Sequence, residues 1–203
     1  VLGMGLQKAG HEVQVVGSTV YESWVRARNL GFYPLSVDIN TFAKENASIM
    51  EEGIVRQIQM VRKEMPPIFT QMGLEVLEAT RDSDVLMTVE FGIALVFDVL
   101  KVNNLKTILI NPAPLNPTRE FASALPKSPG WFPFPAWYNR MSYRFVERLQ
   151  WSVLGNPRNK IAKEHLGVPK SKFKEFSAML ATTPALTTVS KHVVHCPEDW
   201  DEH

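Results

Sequence analysis

Two short runs near the middle of the chain constrain its fold most. Asp84-Val85-Leu86-Met87-Thr88-Val89 and Lys106-Thr107-Ile108-Leu109-Ile110 are apolar at successive positions rather than at alternate ones. A strand without a polar face must be covered on both sides. Parallel sheets with helical crossovers provide that cover. Residues 92–101, between the two runs, are apolar over a helical length. This is strand–helix–strand alternation, and it predicts an α/β fold with right-handed crossovers, a Rossmann-like doubly wound parallel sheet.

The flanking segments extend the pattern. Val1, Leu2, Met4, Leu6 and Ala9 have helical spacing, and Gly10 stands where a helix-ending glycine belongs. Residues 12–16 read as a strand. Ser18 or Thr19 caps a helix carrying Val20, Trp24, Val25 and Leu30, with Gly31 as its stop. Residues 32–37 form a short strand that Pro34 confines to an edge. Residues 38–53 are polar and read as loop with some helix. From Ile54 to about Ala79 apolar residues recur at helical spacing, and Pro66-Pro67 predicts a break or kink. Helices are expected over about 138–154 and 157–166, a last strand over 185–189, and a short extra strand at Val193-Val194. With 203 residues, one domain spanning 1–203 is the expectation.

Composition excludes several functions. Lys+Arg is 22 against Asp+Glu 21, too balanced for a nucleic-acid partner held through phosphates. The single cysteine, Cys196, allows no intrachain disulfide. The histidines His11, His165, His192, His195 and His203 have no metal-ligand spacing, so no metal is expected. No apolar run reaches the roughly 18–20 residues of a transmembrane helix, and a cytoplasmic place is expected. Gly3-Met4-Gly5 lies inside a helical pattern without a preceding strand, so it is not a dinucleotide-binding turn.

After Ile110 the texture changes. Half of the fourteen prolines fall between residues 112 and 137, interleaved with Phe121, Trp131, Phe132, Phe134 and Trp137. Ligands of open α/β sheets bind outside the carboxyl ends of the strands. Glu90-Phe91-Gly92 and Asn111-Pro112-Ala113-Pro114 occupy that edge. An aromatic, proline-stiffened wall there suits a flat, apolar small molecule. A loop whose aromatics pack on the sheet is the alternative, and the residues leave both open. The segment Trp131–Trp137 suggests, in addition, peripheral contact with a membrane surface. Glu90 is a candidate to orient a substrate hydroxyl, or a helix-N-terminal acid favoured by the helix dipole.

Four segments carry a family resemblance. Gly5-Leu6-Gln7-Lys8-Ala9-Gly10-His11-Glu12-Val13 resembles the first helix and second strand of family 1 glycosyltransferases, enzymes of the two-domain GT-B architecture. The run Asn29-Leu30-Gly31-Phe32-Tyr33-Pro34-Leu35 is similar to that family's third-strand entry. Pro117-Thr118-Arg119-Glu120-Phe121 is similar to a loop of the sterol glucosyltransferase and antibiotic glycosyltransferase branch. Cys196-Pro197-Glu198-Asp199-Trp200 resembles the P-x-D-W run ahead of the interdomain linker. The resemblance implies the N-terminal, acceptor-binding half of an inverting enzyme that moves a hexose, glucose above all, from UDP to a hydroxyl of a hydrophobic sterol, lipid or macrolide. It implies no cofactor, with the UDP-sugar held mainly by a C-terminal donor-binding domain beyond His203. The catalytic base is expected before Val1, so this chain alone is expected to be inactive and truncated at both ends. Glu90, Phe91, Pro112, Pro114, Thr118, Arg119, Phe121 and Trp131 are the implied acceptor-pocket residues. The rival reading is a binding module for a hydrophobic ligand, without catalysis of its own.

Overall fold

The computed structural model of the chain describes residues 1–37, 44, 54–123 and 134–200. The fold is α/β and Rossmann-like, built on two small parallel sheets. The chain divides into two compact units, Val1–Asp82 and Ser83–His203.

In the first unit, helix α1 (Leu2–Lys8) ends through Ala9 and Gly10, whose φ of +93° is open to glycine without strain. The N–H of His11 donates to Leu6 O at 3.1 Å and that of Gly10 to Gln7 O at 3.0 Å, closing the helix end. Strand β1 (Gln14–Ser18) runs parallel to β2 (Gly31–Leu35). A single 3₁₀ turn and the short helix α2 (Glu22–Arg26) connect them. The expected stop at Gly31 is displaced. Asn29 takes the left-handed position, with φ +57°, and Gly31 opens β2 opposite Gln14. A Cβ at Gly31 would lie 3.1 Å from the Val13 carbonyl, so close approach rather than helix termination selects glycine there. Pro34 stands opposite Gly17, and among the described residues β2 has β1 as its sole neighbour, the edge position a proline tolerates. Val25, Leu30 and Phe32 form the core of this unit, with Val13 and Val15 against them.

The expected break at Pro66-Pro67 does not occur. Helix α3 runs from Ile54 to Ala79 with both prolines inside. Their missing N–H groups leave the carbonyls of Arg62 and Lys63 without a helical donor, and both of those residues are exposed to water. The Thr70 hydroxyl donates to Pro66 O at 2.8 Å, and Met65 and Phe69 are buried. Packing outweighs the local cost of the prolines. Glu75 accepts from the Ser36 N–H at 3.1 Å and from the Ser36 hydroxyl, which ties α3 to the end of β2. Most of residues 38–53, read from the sequence as polar loop with some helix, lies outside the described residues.

The second unit carries β3 (Val85–Thr88), α4 (Glu90–Val102), β4 (Lys106–Asn111), α5 (Ala136–Ile161), α6 (Phe173–Thr182) and β5 (Ala185–Thr187). The strands lie in the order β3-β4-β5, all parallel, with Thr88 beside Leu109 and Asn111 beside Thr187. Helix α5 is longer than the sequence suggests. Pro157 sits buried inside it instead of starting a new helix. Leu154, Arg158 and Ile161 around it are also buried, so tertiary contacts hold the helix across the missing N–H. A π-helical turn, Ala162–Leu166, follows and ends at Gly167 with φ +64°. Helix α6 was not anticipated from the sequence, although Phe173, Phe176 and Leu180 have the spacing of one helix face. The expected strand at Val193-Val194 is a turn, in which both N–H groups donate to Ser190 O.

Ile93, Ala94, Val96 and Val99 of α4, Leu109 of β4, Tyr143, Leu154 and Ile161 of α5, and Phe176 of α6 form the apolar core of this unit. An ion pair lies within it. Asp98 of α4 and Arg158 of α5 are 2% and 1% exposed, with Nε and Oδ2 3.1 Å apart. Ser171 donates its hydroxyl to Asp98 Oδ1 at 2.6 Å. The Arg158 guanidinium lies 4.1 Å over the Trp151 ring. Burial disfavours its charge and Asp98 restores it, with a net lowering of its pKa.

Candidate functional site

The carboxyl edge of the three-stranded sheet begins where β3 turns into α4. Glu90 is the first residue of α4 and Phe91 the second. A Cβ at Gly92 would fall on the Thr88 hydroxyl, so the helix starts tight against the strand that feeds it. That places the Glu90 carboxyl at the strand end rather than out in solvent. Gln150 of α5 donates Nε2–H to Glu90 Oε1 at 3.0 Å. Burial pushes the Glu90 carboxyl above the usual carboxylate range. The Gln150 hydrogen bond opposes that shift, and the charge of Glu147 adds to it. Glu90 is therefore a carboxyl group easier to protonate than a surface glutamate.

The neighbouring strand β4 ends at Asn111, which is fully buried. Its amide donates to Asn116 Oδ1 at 3.1 Å, and its carbonyl accepts from the Thr188 N–H at 2.9 Å. Two side-chain carbonyl oxygens at this edge, Asn111 Oδ1 and Gln150 Oε1, are buried and have no hydrogen-bond donor among the described residues. An unpaired buried acceptor is costly, and a ligand hydroxyl or amide can satisfy it.

From Asn111 the chain leaves the sheet as an irregular loop. Pro112 is exposed and Pro114 half-buried. Three prolines remove donors here, so side chains from elsewhere fix the loop. Thr118 is fully buried and donates its hydroxyl to Asp199 Oδ1 at 2.5 Å. The Arg119 N–H donates to Asp199 Oδ2 at 2.9 Å, and the Glu198 N–H to Glu120 Oε1 at 2.6 Å. The Trp200 indole N–H reaches Pro117 O at 3.3 Å, and its ring meets Phe121 edge-on at 6.4 Å between centroids. The Thr118 hydroxyl, the Arg119 N–H and the Arg119 charge hold the Asp199 carboxyl below its ordinary range. The run Pro197-Glu198-Asp199-Trp200 is thus a clasp on residues 117–121.

Helix α5 fixes the same loop from its other side. Asn139 donates to Arg119 O at 2.8 Å, the Ser142 hydroxyl accepts from the Ser123 N–H at 2.8 Å, and the Tyr143 hydroxyl donates to Phe121 O at 3.4 Å. Burial, and then the charge of Asp199, push the Tyr143 phenol up to about 12. Asn139, Ser142 and Tyr143 are spaced i, i+3, i+4, which puts them on one helix face. That polar spacing is the sequence signal that could have found them, and Gln150, at i+11 from Asn139, falls on the same face.

The structure brings Thr118, Arg119 and Phe121 together under the clasp, with the Arg119 side chain exposed. Glu90 and Phe91 stand at the end of β3, and Pro112 and Pro114 follow β4. Trp131 lies outside the described residues, as do residues 132 and 133; residues 134–137 of that segment are described and include an exposed Trp137. A shallow depression of about 300 Å³ lies at the opposite end of the sheet, lined by Leu100, Lys101, Leu105, Thr107, Met179 and Pro184 among others. Among the described residues no group of acidic, cysteine and histidine side chains could hold a metal, and no helix is long and apolar enough to cross a membrane.

No known family model matches the chain. It is 24% identical over 206 aligned positions to a sterol 3-beta-glucosyltransferase of Arabidopsis thaliana. The alignment takes in 96% of this chain and 32% of that relative, so the chain spans about a third of the relative's length. The similarity supports a distant glycosyltransferase relationship.

Proposed function

We propose that this chain forms the acceptor-binding part of a UDP-sugar-dependent, inverting glycosyltransferase that moves glucose onto the hydroxyl of a sterol-like molecule. The observation that carries the reading is the likeness to a sterol 3-beta-glucosyltransferase along nearly the whole chain. The carboxyl edge of the three-stranded sheet supports it chemically. A hydroxyl-bearing apolar ligand would lay its body along Pro112, Pro114 and the Pro/aromatic loop. Its hydroxyl would donate to one of the two unpaired acceptors, and we assign Gln150 Oε1, beside Glu90.

In the reaction a base takes the hydroxyl proton, the oxygen forms a bond to the anomeric carbon from the face opposite the nucleotide, and the bond to UDP breaks with its electrons leaving on the diphosphate. Glu90 and Gln150 orient the hydroxyl. The base and the donor-binding domain belong to further parts of the enzyme, and acceptor uptake draws on peripheral contact with a membrane through the Trp131–Trp137 segment.

The test uses a fluorescent sterol excited by energy transfer from the tryptophans of this chain, followed by glucosyl transfer from UDP-glucose in a protein that contains it. Saturable sterol binding that weakens in Glu90→Ala and Gln150→Leu is expected, with transfer in the longer protein. Absence of saturable binding by this chain, or of transfer by the longer protein, refutes the reading.

A further inference from the structure

The amino-terminal half of α5 shows water a face of large apolar residues and arginines. Every exposed position between 136 and 148 is alanine, an arginine or a large apolar residue: Trp137, Arg140, Met141, Arg144, Phe145 and Arg148, besides Ala136. Trp137, Met141 and Phe145 are 65%, 53% and 55% exposed, which is high for side chains of this size. At 100° per residue the two rows 137-141-145 and 140-144-148 interleave within an arc of about 140°. The apolar row is therefore bordered and crossed by arginines. Arg140 and Arg144 have no ion-pair partner among the described residues, and Arg148 lies 5.5 Å over the Phe173 ring. Glu147, the one acid in this stretch, is half-buried at the flank and accepts the Ser177 hydroxyl at 2.7 Å.

A large apolar row beside unpaired arginines, with no exposed acid, complements one kind of surface. Apolar side chains sink to the headgroup–acyl boundary, a tryptophan ring sits at headgroup level, and guanidinium groups meet lipid phosphates. Duplex nucleic acid offers phosphates to the arginines but no apolar layer for Met141 and Phe145, and a single strand would stack on the rings and leave Met141 in water. A protein partner of the same charge pattern would need an acidic rim around an apolar groove.

We propose that this face of α5 docks the chain onto the surface of an anionic phospholipid bilayer, with Arg140 and Arg144 as the phosphate contacts and Trp137, Met141 and Phe145 as the inserted row. The inference extends the peripheral contact suggested above from the 131–137 segment to a helix face, and it adds the lipid charge. It does not depend on glycosyl transfer, because it is read without donor or acceptor.

The experiment is flotation of the chain with vesicles of equal parts phosphatidylcholine and phosphatidylserine, against vesicles of phosphatidylcholine alone, at low and high salt. Binding is expected to the anionic vesicles only, and to weaken at high salt. Each arginine is worth roughly five-fold in partitioning, so R140E/R144E lowers binding at least about 25-fold, while R140K/R144K keeps it. Trp137→Ser lowers it roughly ten-fold. Circular dichroism of each variant confirms an unchanged fold, as expected for exposed side chains. Equal binding to neutral vesicles, no binding to anionic ones, or retention by R140E/R144E would overturn the proposal. So would self-association of the chain that is lost on changing Met141 and Phe145 to serine, since a second copy would then cover the face. Vesicle binding without sterol binding would leave the docking face standing and sink the acceptor reading; the reverse result would do the opposite.

Discussion

Replacing Asp98 by alanine exposes how the second unit is held. The pair it breaks is sealed from water, with Asp98 at 2% and Arg158 at 1% exposure. At the 3.1 Å separation of Nε and Oδ2, Coulomb attraction is about 5 kcal/mol for an effective dielectric of about 20. The desolvation of both groups offsets most of that while the pair is intact. Removing the acid alone keeps the guanidinium buried and deletes its counter-charge. It also orphans the Ser171 hydroxyl, which donates to Asp98 at 2.6 Å. Lys101, whose Nζ lies 3.9 Å from Asp98 and 3.8 Å from Glu175, loses the Asp98 charge and keeps that of Glu175. The expected cost is about 3–5 kcal/mol. A unit of this size loses about 4 °C per kcal/mol, so the melting point falls by roughly 12–20 °C. Thermal and urea unfolding followed by tryptophan fluorescence measure it, since Trp151 stacks under Arg158. The double change Asp98→Leu with Arg158→Leu removes both charges together, and it costs less than Asp98→Ala alone despite losing the stack on Trp151. If Asp98→Ala costs under about 1 kcal/mol, or the double change costs the sum of the two single ones, the buried pair is not the interaction described and the reasoning fails.

Thr118→Val removes a charge-assisted hydrogen bond to an acid that water reaches, so about 1 kcal/mol is lost and tryptic cleavage after Arg119 accelerates. Asp199 has its pKa depressed in the folded chain, so its contribution is complete above the ordinary 3.8 and disappears as pH falls through the lower folded value; cleavage by an acid protease within 112–123 should rise over that range and not in Asp199→Asn. Glu90 has a raised pKa, so its ionised form costs stability at neutral pH and protonation relieves that cost as pH falls through a value above 4.5. Glu90→Gln should flatten this part of the stability–pH curve in urea titrations without lowering stability at pH 7. Of the four tyrosines, Tyr143 should remain un-ionised in a near-ultraviolet titration until about pH 12, and Tyr143→Phe should remove that late step.

The sheets were legible because their strands are apolar on both faces and short, so pattern and pairing agree for 85–88 and 106–111. Helix boundaries were less legible where local cost and packing oppose each other. Pro66, Pro67 and Pro157 each argue for an end that buried neighbours override. Asn29 took a left-handed position that the nearby glycine seemed made for, because Gly31 was needed for close approach to Val13. At the carboxyl edge, Glu90 and the loop after Asn111 could be placed from strand ends alone. The clasp of Asp199 on Thr118 could not, because its partners lie far apart in the sequence and no local pattern couples them. The pairings of Gln150 with Glu90 and of Asp98 with Arg158 were invisible for the same reason.

The clasp also sets a time at which the loop can form. Thr118 and Asp199 are 81 residues apart, and Trp200 reaches back 83 to Pro117. Closing so long a span costs chain entropy before any contact repays it, which places this contact late in folding. During synthesis the strands β3 and β4 leave the ribosome well ahead of residues 197–200. Until residues 197–200 emerge, the segment 117–121 is held from the α5 side alone, through Asn139 on Arg119 O and Tyr143 on Phe121 O, with Pro117 and the Phe121 ring still unclasped. A nascent chain that stops before residue 197 would keep its sheet and the α5 contacts and lack the clasp, leaving Phe121 without the Trp200 ring against it.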